Sequence, residues 1–333
     1  MTSRELMKRT LEFDRPERVP RDLWLLPWAT DNHPAEVERI QRDFPNDIVH
    51  APAVYGTQPV TTGDPCTIGT YIDEWGCIFE NRQNGIIGEV KEPLLRDWSD
   101  VDIVKPPRGA LTFDPGAVNA FCRESDAFVM AECCPRPFER LQFIRSSENV
   151  YYDVIDRPEE FTVLLDRIHS FYVEEFEMWA ATDVDGLMFM DDWGAQHSLL
   201  ISPDMWRELF MPMYRDYISI AHDNGKYCFM HSDGYIIDIL PDLIELGLDA
   251  INSQIFCMDV GTLGERFRGQ ITFWGEIDRQ HILPHATESE VADAVRLVGD
   301  ALYDKGGVIA QCEFGPGAKP ENVYAVFETW NSM

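Results

Sequence analysis

Tyr227-Cys228-Phe229-Met230-His231-Ser232-Asp233-Gly234 decides the fold, because an unbroken, mostly apolar run ends abruptly in an imidazole, a carboxylate and a glycine. A strand covered on both faces, as in a parallel sheet, reads as a continuous apolar run rather than an alternating one. The same grammar recurs in both directions along the chain. Phe128-Val129-Met130 leads to Glu132, Leu187-Met188-Phe189-Met190 to Asp191-Asp192, and Ala250-Ile251 to Asn252 and Gln254. Ile271-Thr272-Phe273-Trp274 leads to Glu276 and Asp278, and Val308-Ile309-Ala310 to Cys312-Glu313. Helix-like segments separate most of these runs. Parallel strands that close into a barrel gather their C-terminal ends at one face, where barrel enzymes carry their active sites. The expectation is an α/β protein, a single TIM-type (β/α)8 barrel over residues 1–333, with an enzyme's site at the strand ends.

The flanking segments fit that frame. Thr2-x-x-Glu5 is a capping box that opens a helix to about Phe13. Asp22 to Leu26 reads as the first strand and Ile48 to Tyr55 as another. From about 69 to 107 the texture changes to the alternation of an antiparallel hairpin, with Asn84-Gly85 as a two-residue turn. This small hairpin insertion, in the N-terminal third, is expected to lie over the barrel mouth. Later helices are predicted over Pro158–Ala181, Ile236–Leu246, Glu288–Tyr303 and Glu321–Trp330. Another starts at the Ser202 cap with Pro203 in its first turn and ends at Asn224-Gly225, with Pro212 kinking it.

Composition narrows the function. The 333 residues carry 58 acidic and 28 basic side chains, a formal net charge of -30. Such a chain repels phosphate backbones and anionic lipid, so nucleic-acid and membrane partners are disfavoured. No run approaches the ~20 apolar residues of a membrane span. The N-terminus lacks the apolar stretch of a signal peptide. The 8 cysteines are scattered, as expected of reduced thiols in a cytoplasmic protein.

Five groups of residues carry chemistry, each beside a blander alternative. His231 and Asp233 lie two apart in an extended strand and would face the same way, and with Cys312 they offer the donors that zinc prefers. The blander alternative is a hydrogen-bonded core histidine and a cysteine acting as an apolar filler. Asp191 and Asp192 face different ways, so one enters the pocket as a base, ligand or anchor, unless both satisfy helix amides. Glu276 and Asp278 would share a face and raise one another's pKa, or else sit solvated in a turn. Glu132 is a ligand or, more simply, an ion-pair partner of Arg136. Trp24, Trp28, Trp75 and Trp193 would line an aromatic pocket or pack in the core. No dinucleotide fingerprint, P-loop or nucleophile elbow is present.

Several of these motifs appear in the order of a known family. Leu11-Glu12-Phe13-Asp14-Arg15-Pro16-Glu17-Arg18-Val19-Pro20, Asp191-Asp192-Trp193-Gly194, His231-Ser232-Asp233-Gly234, Trp274-Gly275-Glu276-Ile277-Asp278 and Ile309-Ala310-Gln311-Cys312 through Pro320-Glu321-Asn322-Val323 follow one another. Together they resemble the uroporphyrinogen decarboxylase superfamily, and within it the branch of zinc-dependent, corrinoid-linked methyltransferases. The resemblance implies a TIM-type barrel and zinc held by a His-x-Cys pair and a later cysteine. It also implies a partner protein that carries the corrinoid. His231 and Cys312 match the histidine and the later cysteine, while Asp233 stands where the middle cysteine is expected. The decarboxylase branch fits less well, since its arginine-rich segment corresponds here to Trp24–Asn32, which carries no arginine.

The function expected on this basis is methyl transfer between a small methylated compound or thiol and a corrinoid protein, with zinc on His231, Asp233 and Cys312. Asp192, Glu276 and Asp278 are the expected catalytic groups. Trp24, Trp193, Gln196 and Asn252 are the expected substrate-binding groups. A metal-independent decarboxylase or lyase acting on a small carboxylic acid is the alternative, and a non-catalytic corrinoid-binding protein a third reading. A homodimer of the family's kind is compatible with the resemblance, and the periodicity does not test it.

Overall fold

In the computed structural model, which describes residues 1–53 and 55–333, the continuous apolar runs are parallel strands of one eight-stranded sheet. Its strands are β1 (Arg21–Leu25), β2 (Ile48–His50), β6 (Phe128–Met130), β7 (Gly186–Met190), β8 (Tyr227–Ser232), β9 (Ala250–Ser253), β10 (Thr272–Trp274) and β11 (Val308–Phe314). The spatial order β1-β11-β10-β9-β8-β7-β6-β2 follows the chain around a circle, with every neighbour parallel. The ring closes between β1 and β2. There the Asp47 amide donates to the Arg21 carbonyl at 2.8 Å, and the Arg21 amide returns a bond to Asp47 Oδ2 at 2.8 Å. Helices surround the strands, giving the α/β TIM-type barrel expected.

Alternation along the strands sorts side chains into two layers. Phe128, Met188, Phe229, Ala250, Trp274 and Ile309 meet inside the barrel. Leu23, Leu187, Phe189, Met230, Ile251, Phe273 and Cys312 face outward to the helices and join the larger core. The N-terminal helix Ser3–Leu11, opened by the Thr2–Glu5 capping box, adds Met7 and Leu11 to the inner layer. Its Arg4 amide donates to Asp126 O, just ahead of β6, so the helix plugs the N-terminal end and leaves the C-terminal end open.

The segment after β2 holds a separate antiparallel sheet of β3 (Gly69–Ile72), β4 (Ile78–Asn81) and β5 (Glu89–Val90). Its tight turn is not at Asn84-Gly85. The β3–β4 hairpin closes over residues 73–77, where Asp73 Oδ1 accepts from the amides of Trp75 and Cys77. Asn84-Gly85 turns inside the longer connection from β4 to β5, with Gly85 O accepting from the Trp28 amide at 3.1 Å.

Other boundaries moved for local reasons. The strand expected over Ile48–Tyr55 is confined to Ile48–His50, and that expectation includes Val54, which lies outside the described residues. The helix capped by Ser202 divides into Pro203–Leu209 and Met211–Asp223, because Pro212 lacks the amide that would continue the hydrogen-bond ladder. The helix expected over Ile236–Leu246 is confined to Leu240–Glu245. Among the described residues, no helix is long and apolar enough to cross a membrane.

Candidate active site at the barrel mouth

His231 ends the inward row of β8, and Asp233 follows two residues later on the same side. His231 Nε2 lies 3.6 Å from Asp233 Oδ1 and 3.5 Å from Asp192 Oδ1. One donor atom from each of Asp192, His231 and Asp233 falls within 4.8 Å of the others. Asp192 is placed by β7, which runs beside β8 in register, and its Oδ1 also accepts from the Asp233 amide at 2.9 Å. Gly194 and Gly234 lock the two following loops together. A Cβ on Gly234, whose φ is 77°, would lie 2.1 Å from Gly194 O.

The imidazole is oriented from behind. Asn252 Nδ2 donates to the Trp274 carbonyl, so its Oδ1 is the acceptor for His231 Nδ1 at 2.6 Å. The proton of a neutral ring therefore sits on Nδ1, and the Nε2 lone pair points at the two aspartates. Trp24 packs a tilted ring on His231 with centroids 5.4 Å apart. Its Nε1 donates to Asp22, whose carboxyl burial lifts to about 6.

Arg279 supplies the countercharge, and nothing in the sequence pattern had singled it out. Its guanidinium bonds Asp233 Oδ2, lies 3.1 Å from Glu313 and 3.8 Å from Glu276. Burial lifts Glu276 to about 8 against the opposing pull of Arg279, and lifts Glu313 in the same direction. Asp233 Oδ1, by contrast, is buried and has no hydrogen-bond partner. One carboxylate thus serves two roles: Oδ2 is tied to Arg279, and Oδ1 is left for the site. A thiolate, with a single ligand atom, could not divide itself in this way.

Cys312 corrects the sequence expectation. It pairs in register with the outward-facing Leu23 and belongs to the core between strands and helices, fully buried. Its neighbour Glu313 pairs with Trp24 and lines the mouth. The alternation of β11 therefore turns Cys312 away from His231 and Asp233, and the trio of ligand groups contains Asp192 instead.

The remaining candidates separate in the same way. Trp24, Asp192, His231, Asp233, Arg279 and Glu313 line a cavity of about 530 Å³ that reaches Phe79, Arg136 and Phe143. Glu276, Asp278 and Gln196 line a smaller neighbouring cavity of about 160 Å³, on the far side of Arg279. Asp278 accepts from the amides of Gln280 and His281 and so holds a turn. Trp193 is core rather than pocket. It is fully buried, stacks on Phe138 at 4.1 Å and donates to Tyr214 Oη. Asn252 is likewise buried behind His231, where it orients the ring instead of meeting solvent. Asp191 took the blander of its two options, its carboxylate accepting from the Phe138 and Glu139 amides at a helix start. Glu132 pairs with His50 at 3.4 Å, and Arg136 with Glu139 at 3.7 Å.

A family model described as uroporphyrinogen decarboxylase matches residues 65–333 of this sequence. The chain belongs to the uroporphyrinogen decarboxylase family. No curated protein matches the sequence. Among solved structures, a methyltransferase from Methanosarcina mazei superposes with a TM-score of 0.69 at 13% identity, covering 100% of this chain and 99% of that one. At that identity the likeness concerns the fold. The matched span of this uroporphyrinogen decarboxylase family member includes β6 to β11, the strands that carry Asp192, His231, Asp233, Arg279 and Glu313 at or just beyond their C-terminal ends.

Proposed function

We propose that this protein is a methyltransferase that moves a methyl group between a small methylated compound and a corrinoid carried on a partner protein. The observation that carries the reading is the trio Asp192, His231 and Asp233 at the open end of the barrel, with Asp233 Oδ1 buried and unbonded beside a presented imidazole lone pair. One nitrogen and two oxygens match the three protein donors of a catalytic zinc site, so these residues, without Cys312, would hold the metal. Zinc, when bound there, would supply Lewis acidity toward a substrate heteroatom.

The chain's own residues do the rest. Asn252 holds His231 in the ligating tautomer, as partners behind a metal ligand commonly do. Arg279 keeps Asp233 monodentate and offsets the charge of Glu313. Trp24 closes one wall and limits water at the heteroatom. Glu276, protonated near neutral pH and reached from the smaller cavity, is placed to hold a proton rather than to meet the methyl group. The metal-independent lyase needs Asp192 and Glu276 on one substrate, and the two line different cavities.

The test is zinc content of the purified protein beside His231→Ala, Asp233→Ala and Asp192→Ala, followed by a screen for methyl transfer from methoxy, methylamine and methylthiol compounds to a reduced corrinoid protein. About one zinc per chain, lost in the variants, and transfer from at least one donor class are expected. Full activity in His231→Ala, or no transfer from any donor, would overturn the reading.

A further inference from the structure

Adjoining the mouth cavity is a second one, of about 300 Å³, that the proposed chemistry leaves unused. Tyr71, Trp75, Phe171 and Tyr172 are among its walls, and Phe79, Ile87, Arg136 and Phe143 line both cavities. A space walled by rings favours a flat aromatic group, through offset or edge-to-face contacts. Its polar groups narrow the choice further. Arg140 is already committed: it bonds Asp73, lies 3.4 Å from Glu74 and from Tyr172 Oη, and sits 5.0 Å above the Trp75 ring.

Two charged groups have capacity left. Among the described residues, Arg136 makes one 3.4 Å bond, Nε to Cys134 O, and one 3.7 Å ion pair with Glu139. No hydrogen bond from the described residues reaches the Glu175 carboxylate, which burial lifts to about 7 while Arg136 and Arg140 pull it down. A donor-rich guanidinium and an acceptor carboxylate on one aromatic cavity are both satisfied by a hydroxyl, which donates one bond and accepts others. A ligand carboxylate would face Asp73, Glu74 and Glu175, and a ligand ammonium would face two guanidiniums. A neutral hydroxyl meets neither objection.

We propose that the second cavity binds a phenolic ring, with its hydroxyl held by Arg136 and Glu175, so that the substrate is a hydroxyaryl compound whose methyl-bearing arm passes Phe79 and Phe143 toward His231. The methyl-bearing arm rests on the methyltransferase reading, and the ring site does not. Calorimetric titration of the full-length protein at pH 8 with phenol, anisole, benzoate and benzylammonium tests it. Phenol should bind about 10- to 100-fold more tightly than anisole, the scale of hydrogen bonds to charged groups. Glu175→Leu, which removes the acceptor, should bring phenol down to the level of anisole and leave anisole unchanged, whereas Arg136→Gln should weaken both, since the ether oxygen of anisole also accepts from the guanidinium. Equal affinity for anisole and phenol, tighter binding of benzoate or benzylammonium, or undiminished phenol binding in the folded variants would overturn it. The wild-type comparison decides the matter even if a variant fails to fold. Phenol has no methyl group to give, so the two readings fail separately. Phenol binding without transfer from any methoxyphenol sinks the methyl chemistry alone, and transfer from ring-free donors with phenol unbound sinks the phenol site alone.

Discussion

His231 Nδ1 lies 2.6 Å from Asn252 Oδ1, and Asn252 is itself pinned by the Trp274 carbonyl. This pair fixes the imidazole tautomer before any ligand arrives. Replacing Asn252 by Ala should raise the zinc dissociation constant about 10- to 100-fold, the range seen when a ligand's supporting partner is lost. Titration against a competing chelator measures this. An unchanged constant would mean that Asn252 does not orient the ring.

Because Cys312 faces the helices, Cys312→Ala should leave zinc stoichiometry intact and cost on the order of 1 kcal/mol in stability, as small core truncations do. Mass spectrometry of the metal content, beside a thermal melt, reads both. Loss of zinc in Cys312→Ala would restore the cysteine to the ligand set.

Glu276 makes stability depend on pH in a stated direction. Burial raises its carboxyl from 4.5 to about 8. Between those values the folded chain holds a proton that the unfolded chain has released, so stability falls as pH rises through this window and the loss is complete above it. Glu276→Gln should flatten that slope and exceed the wild type above pH 8, by on the order of a few kcal/mol. Urea unfolding at pH 5, 7 and 9 checks it, and identical slopes would show that Glu276 is not a buried carboxyl.

Gly234 has φ 77° and packs its backbone against Gly194. Gly234→Ala should therefore destabilise by roughly 2 kcal/mol or more, combining a left-handed backbone with a collision against a carbonyl. It should also weaken zinc binding, since the same contact aligns the Asp192 and Asp233 loops. A melting temperature within a degree of the wild type would contradict this.

Much of this molecule is legible from the chain alone. Continuous apolar runs ending in polar residues specify parallel strands buried on both faces, and their alternation with helical segments specifies a closed α/β ring. His231 and Asp233 were readable as one inward pair because they sit two apart in a single strand. The capping box at Thr2, the Ser202 cap and the break at Pro212 are local events, set by residues within a turn of one another.

What only the tertiary structure decided is the side of the sheet on which each distant residue falls. Strand side chains alternate, so a reading off by one residue turns a whole face around, and on β11 it is Glu313 rather than Cys312 that faces the mouth. Arg279 lies in a loop whose sequence gives no sign that it reaches Asp233, Glu276 and Glu313. Trp193 and Asp191 stand beside Asp192 in sequence yet turn into the core and onto a helix start. A site assembled from separate strand ends depends on register and loop closure, and those are settled by packing across the whole barrel rather than by any short stretch of residues.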